Sequence, residues 1–232
     1  MAEFRVMTSG AFTAAHLELI PQLEKLTRRK VVTATTSVGT GEGSIPNRLK
    51  RGDVVDIVIV SDDLLRELID QGVVLDGHTT LARSTIGLAV CEGAPKPDVG
   101  STETLRRTLL QAKAIGYSAS VSGRYVTTEL YQRLGIADEC LPKSRFVGGG
   151  ERVGAVIARG EIDIGFQQMS ELLPVKGIAH ITPLPPELQK VSLFSAGVAT
   201  SCADPQLARR VIRFLASEDA WPAITRSGLE PV

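Results

Sequence analysis

The run from Ala155 to Gln168, AVIARGEIDIGFQQ, limits the possible folds of this chain more than any other stretch. It reads as the end of a helix, a turn at Arg159-Gly160-Glu161, and a buried strand that stops at polar Gln167-Gln168. An earlier stretch, Pro46 to Ser61, repeats the grammar: a helix, a turn at Gly52, the acidic Asp53, then an apolar strand ending on Ser61. A helix feeding a strand with no polar alternation belongs to an α/β unit whose sheet is covered on both faces. Two such units, one in each half of the chain, predict two lobes facing each other across a cleft. The fold class expected is therefore α/β and two-lobed, each lobe a mixed, mostly parallel sheet flanked by helices.

The intervening residues suit that plan. Phe4 to Met7 reads as a first strand, and Phe12 to Thr27 as a helix with Leu19, Ile20, Leu23 and Leu26 on one face and an expected kink at Pro21. Val31 to Thr35 is β-branched apart from Ala34. Ser44 suits the N-cap of a helix that starts near Ile45-Pro46, and Asp62 to Gln71 reads as another helix. A strand at Thr85 to Val90 opens the second lobe. It is followed by a helix from Ser101 to Gln111, a strand at Ala114 to Tyr117, and a helix from Tyr125 to Leu134 stopped by Gly135. Val191 to Val198 reads as a returning strand, with helices at Pro205 to Leu215 and Ala220 to Ile224 after it. The domain organisation expected is residues 1–84 for the first part of lobe one, 85–190 for lobe two, and 191–232 for the completion of lobe one.

Charge excludes one class of function. Lys+Arg and Asp+Glu both number 26, which argues against the basic face of a nucleic-acid binder. Cys91, Cys140 and Cys202 are odd in number and far apart, so they read as small core residues and not as a disulfide framework or metal site. His16, His78 and His180 lack ligand spacing and read as structural or surface residues. No apolar run is long enough to span a membrane. The chain enters its first strand without a basic and apolar leader, so the expected location is cytoplasmic as written, or periplasmic where a leader has been removed.

Three small-residue segments stand at strand ends ahead of helices: Thr8 to Ala11, Ser37 to Ser44, and Ser118 to Arg124. Ligands of open α/β sheets collect at the carboxyl ends of strands, and helix N-termini with serine hydroxyls and close-approach glycines suit an anion. Taken singly, each segment also reads as an ordinary helix cap. Arg124 offers either a bidentate clamp for a carboxylate or a solvated charge. Glu42 sits awkwardly with an anion, which its carboxylate would repel. There is no G-x-G-x-x-G, no P-loop and no G-x-S-x-G. No cofactor or metal is expected, and no catalytic residue stands out.

From Val6-Met7-Thr8-Ser9-Gly10 to Ser227-Gly228-Leu229-Glu230-Pro231, and most closely over Ile45 to Val60, Ser118 to Gly135 and Glu151 to Ser170, the chain resembles the type II periplasmic binding proteins, in particular their molybdate-binding branch. The resemblance implies two lobes joined by crossing strands, a ligand held between them, and hinge closure. It places Ser9, Gly10, Phe12, Thr40, Gly41 and Ser44 in the ligand site from lobe one. From lobe two it places Ser118, Ser120, Ser122, Gly123, Arg124, Tyr125, Val153 and Gln168.

Two departures shift the expected ligand. Gly10-Ala11-Phe12 lacks the second hydroxyl that molybdate binders carry in this loop, and Gln168 stands where several of them have tyrosine. Both open space for a larger organic anion. The function implied is binding of a small anion, an oxyanion or a di- or tricarboxylate, by a monomer, with an ABC-transporter permease as a possible partner. Aconitate isomerases resemble the same branch, so the alternative is an isomerase of an unsaturated polycarboxylate acting by proton transfer. For that reading Glu42, Glu151 and Tyr125 are the titratable side chains the sequence places near the cleft.

Overall fold

The computed structural model describes residues 3–34, 41–148 and 150–232. Thr40, the Ser37 to Gly39 part of the second loop, and Thr35 lie outside the described residues. The chain divides into two compact units, one running up to Ser84 and resuming at Ser192–Val232, the other Thr85–Val191.

The first unit contains β1 (Glu3–Thr8), α1 (Gly10–Thr27), β2 (Lys30–Ala34), α2 (Ile45–Lys50), β3 (Ile57–Ser61), α3 (Asp62–Asp70) and β4 (Val74–Ser84). The second contains β5 (Ile86–Cys91), α4 (Thr102–Gln111), β6 (Ile115–Ser118), α5 (Val121–Tyr125), α6 (Tyr131–Leu134), α7 (Ala137–Cys140), β7 (Ser144–Val147), α8 (Val153–Ala158), β8 (Ile164–Gln168), α9 (Met169–Leu172) and β9 (Ile178–Pro183). The first is completed by β10 (Ser192–Ala199), α10 (Pro205–Leu215), α11 (Trp221–Arg226) and β11 (Glu230–Pro231). Its sheet has the order β11-β4-β10-β3-β1-β2, and that of the second unit β7-β6-β8-β5-β9.

The sheets are mixed, but they are not mostly parallel as expected. Among the described residues, two of five neighbouring pairs in the first sheet are parallel. In the second sheet two of four are parallel. The difference comes from β4, β9 and β11, which pair antiparallel and which carry no clean run of alternating or apolar residues. β4 begins VLDGHTT, and none of its residues between Val74 and Leu81 is buried.

Local chemistry explains the main helices. Along α1 the residues Phe12, Ala15, Leu19 and Leu23 are buried against Phe4 and Val6 of β1. Pro21 lies on its exposed side, and the helix continues through it to Thr27. Ser44 caps α2, its Oγ accepting the Asn47 N–H at 3.4 Å, and Ser101 forms a reciprocal capping box with Thr104 at the start of α4. The helix expected from Tyr125 starts four residues earlier, at Val121, and passes through a π-type turn at Val126–Leu130. It stops at Gly135 with φ 63°, the left-handed terminator that glycine supplies. Of the cysteines, Cys140 and Cys202 are buried and Cys91 is half-buried. No helix among the described residues is long and apolar enough to cross a membrane.

Candidate functional site

In the first unit β1 passes into α1 with one residue, Ser9, between them. The backbone N–H of Ser9 donates to the Ile59 carbonyl at 2.9 Å, which fixes it to the end of β3. Its side chain forms no cap bond, the residue is 4% exposed, and its buried Oγ has no hydrogen-bond partner among the described residues. A buried hydroxyl left in this state costs about 1–3 kcal/mol. It stands at the head of an 18-residue helix, whose free N–H groups and dipole attract negative charge.

The neighbouring candidates are disposed differently. Gly10 is half-buried, while Phe12 is fully buried and belongs to the core of the unit. Gly41 is exposed, and its carbonyl accepts from Ser44 N at 2.9 Å and Asn47 Nδ2 at 3.1 Å. The Ser44 hydroxyl is occupied as the cap of α2. Glu42 is exposed.

In the second unit the end of β6 carries a chain of hydroxyls. Ser118 Oγ lies 2.9 Å from Ser120 Oγ, which lies 2.9 Å from Ser122 Oγ. Ser122 is fully buried. Gly123 makes this possible, because a Cβ there would stand 1.8 Å from the Ser118 carbonyl oxygen. Arg124 points outward and is exposed. The Tyr125 hydroxyl donates to the Leu188 carbonyl at 2.6 Å and accepts from Arg133 Nη1 at 3.0 Å, with Lys190 Nζ 5.4 Å from the ring centroid. Tyr125→Phe is therefore expected to lower stability by about 1–3 kcal/mol, read by chemical denaturation, because a buried carbonyl loses its donor.

Val153, the first residue of α8, is fully buried, and Gln168 ends β8 with 2% exposure. α8 lies close on the sheet because Gly116 and Gly165 face each other across β6 and β8. A Cβ on Gly165 would meet Val153 at 2.5 Å, and one on Gly116 would meet Ile162 at 2.1 Å. The glycine pair thus sets the position of the α8 first turn.

Sequence reasoning missed the polar groups behind that turn. Gln167 is 4% exposed, and its Oε1 accepts the Gly154 N–H at 3.3 Å. Its side chain also hydrogen-bonds Glu171, a carboxyl 9% exposed on α9, which burial pushes up to about 7 against the opposing pull of Arg152 and Gln167. Ser170, between them in sequence, is 1% exposed, and its Oγ has no partner among the described residues. The only sequence signal was the concentration of polar residues, QQMSE, at the end of a buried strand. Glu151, one of the expected titratable groups, is instead exposed and paired to Arg159 at 2.5 Å.

A second polar cluster in the first unit joins Ser195, Asp62 and His78. It is not a nucleophilic triad, because Ser195 Oγ donates to Asp62 Oδ1 at 2.7 Å and His78 Nε2 meets the same oxygen at 3.0 Å. The imidazole contacts the carboxylate and not the hydroxyl, so the Ser–His link of a triad is missing among the described residues. Desolvation pulls the Asp62 carboxyl up, but the hydrogen bonds from Ser195 and Arg66, together with the Arg66 and His78 charges, outweigh it and hold it below the usual carboxylate value. Among the described residues no group of His, Cys, Asp and Glu could hold a metal ion.

Residues 4–230 match the family of bacterial extracellular solute-binding proteins. An aconitate isomerase from Pseudomonas sp is 38% identical over 229 residues, covering 98% of this chain and 87% of the relative. The periplasmic molybdate-binding protein of Azotobacter vinelandii superposes with a TM-score of 0.78 at 19% identity, over 97% of this chain and 98% of that one. The tungstate ABC transporter structure from Geobacter sulfurreducens gives a TM-score of 0.70 at 17% identity, over 97% and 98%. At such identities the solved structures speak for the fold, and the end-to-end sequence match speaks for descent. The chain belongs to the bacterial extracellular solute-binding proteins and has the type II fold of their molybdate-binding branch.

Proposed function

We propose that this protein binds a small polycarboxylate of the aconitate class. In the first unit the residues that would contact it are Ser9 and the first turn of α1; in the second they are the Ser118–Tyr125 segment, Val153 and Gln168. The observation that carries the reading is the buried Ser9 hydroxyl without a partner at the head of a long helix, an arrangement that an anionic oxygen completes. The serine hydroxyl chain of the second unit supports it with further donors. Gly10-Ala11-Phe12 offers one hydroxyl fewer than a bare tetrahedral oxyanion would use, and the aconitate isomerase relative favours a carboxylate. Family membership supports a protein that works outside the cytoplasm and delivers its ligand to an ABC-transporter permease.

A thermal-shift panel tests this, comparing citrate, cis-aconitate and trans-aconitate with molybdate, tungstate, sulfate and phosphate. A carboxylate at a hundred times its Kd adds about 2.7 kcal/mol and raises the melting temperature by several degrees. Ser9→Ala is expected to weaken that binding by about 10- to 100-fold, the value of a hydrogen bond to a charged group. Shifts with molybdate and tungstate alone, or unchanged affinity in Ser9→Ala, overturn the proposal.

The 38% identical isomerase favours a second reading, in which the bound polycarboxylate is also isomerised by proton transfer. Its mark is deuterium entering aconitate from heavy water in the presence of the wild-type protein and not of Ser9→Ala. Unlabelled aconitate after prolonged incubation with binding-competent protein removes the reading.

A further inference from the structure

Glu171 is the one buried carboxyl of the second unit among the described residues, and it forms no ion pair there. It stands three residues beyond Gln168, next to the partnerless hydroxyl of Ser170. It is also linked through Gln167 to the Gly154 N–H, the residue after Val153. The two ends of this short relay, Glu171 and Gly154, thus lie three residues and one residue along the chain from Gln168 and Val153, which the proposed function assigns to the anion site, and the inference rests on that assignment.

We propose that Glu171 is a proton-linked positioning residue. The anion binds to the form in which Glu171 is neutral, so binding transfers one proton from solvent to the Glu171 carboxyl, and Gln167 couples that carboxyl to the first turn of α8. No bond in the ligand changes, and the proton comes from the buffer. The physical reason is repulsion. A buried carboxylate close to a bound anion is poorly screened, and the cheaper state is the protonated one. Burial already brings the group to about 7, so an added negative charge draws its protonation into the neutral range. A protonated carboxyl keeps an oxygen that accepts from Gln167 and gains a donor.

The surrounding charges permit this. β8, packed on α9, carries no titratable side chain, and β5 and β9 contribute Cys91 and the exposed His180. The charge that acts on Glu171 is Arg152 at the head of α8, and it opposes protonation less than burial favours it. The sign follows by linkage. Where Glu171 is ionised in the free protein, each unit rise in pH lowers anion affinity by up to about tenfold.

Titration calorimetry with trans-aconitate from about pH 7 to about pH 9, where this ligand is fully ionised, tests the proposal on wild type and Glu171→Gln. Wild-type affinity is expected to fall with a slope approaching tenfold per pH unit, while Glu171→Gln stays flat at the level the wild type reaches at its lowest pH. Repeating the wild type at about pH 8 in buffers of different ionisation heat should show uptake approaching one proton per anion, and the variant none. A purely structural Glu171 would move the melting temperature and leave both slopes equal. Equal slopes, or no proton uptake by the wild type, overturn the proposal while leaving anion binding intact. No binding at any pH, with a blank thermal-shift panel, overturns the binding function and this inference together.

Discussion

Gly123→Ala is expected to lower the melting temperature by about 10 °C or to prevent folding of the second unit, a loss of about 3–5 kcal/mol. Many glycines in the chain are there for backbone conformation, but Gly123 is there for space. Its missing side chain lets α5 start within contact of the end of β6, and an alanine Cβ would fall 1.8 Å from the Ser118 carbonyl oxygen and 2.8 Å from the Ser118 nitrogen. Both atoms are backbone, so no rotamer change can absorb the overlap, and α5 or the strand end has to move. That movement would separate Ser118, Ser120 and Ser122, whose hydroxyls depend on this approach. Anion affinity should therefore fall with stability. Circular dichroism melts and calorimetry on the variant check both, and a variant that melts with wild type shows the approach is looser than described.

The second large effect concerns acid. His16 is fully buried on α1 and its Nε2 lies 2.8 Å from Thr33 Oγ1. Burial alone lowers its pKa to about 4 from an ordinary 6.5. The folded protein thus holds neutral imidazole where the unfolded chain binds a proton. The stability from this group is fully present above about pH 6.5 and is lost as the pH falls toward about 4, by about 3 kcal/mol in all. Denaturation of wild type and His16→Gln across that window should show the wild-type advantage shrinking by this amount as the pH drops. Parallel curves would mean that His16 is not what senses acid. Glu171 has the opposite sign. Raised from 4.5 to about 7, it contributes stability that is present below about pH 4.5 and is lost as the pH rises through about 7. Glu171→Gln should therefore gain relative stability on the alkaline side.

How far the sequence could be read depended on how local each signal was. The Ala155–Gln168 grammar is carried by neighbours in the chain, and it appears as α8, the Gly160 turn and β8. The Ser44 cap and the Gly135 stop were legible for the same reason. The start of α5 was not. Ser-Val-Ser-Gly reads as a turn by propensity, and what makes it helical is contact with β6, where the absence of a side chain at Gly123 is an advantage. The antiparallel strands β4, β9 and β11 were missed because their pairing partners lie far away in sequence and supply what their own pattern lacks.

The site divides along the same line. Its hydroxyls and glycines, Ser9 and Ser118 through Gly123, could be nominated from composition at strand ends. Their different roles could not be read there. Ser44 caps α2, the Tyr125 hydroxyl is engaged by Leu188, and the Ser9 hydroxyl is left without a partner, because each outcome depends on which distant atoms come within 3 Å or so. Glu171 shows the limit most clearly. As a letter in QQMSE it is an ordinary surface glutamate, and only the packing of α9 against β5, β8 and β9 removes it from water. The sequence by itself determined the α/β class, the Ser44 cap, the Gly135 stop and the polar strand termini, since these follow from periodicity and backbone chemistry within a few residues. The tertiary structure alone decided which polar groups are buried and which of those lack a partner, because desolvation and long-range hydrogen bonding belong to the folded chain as a whole.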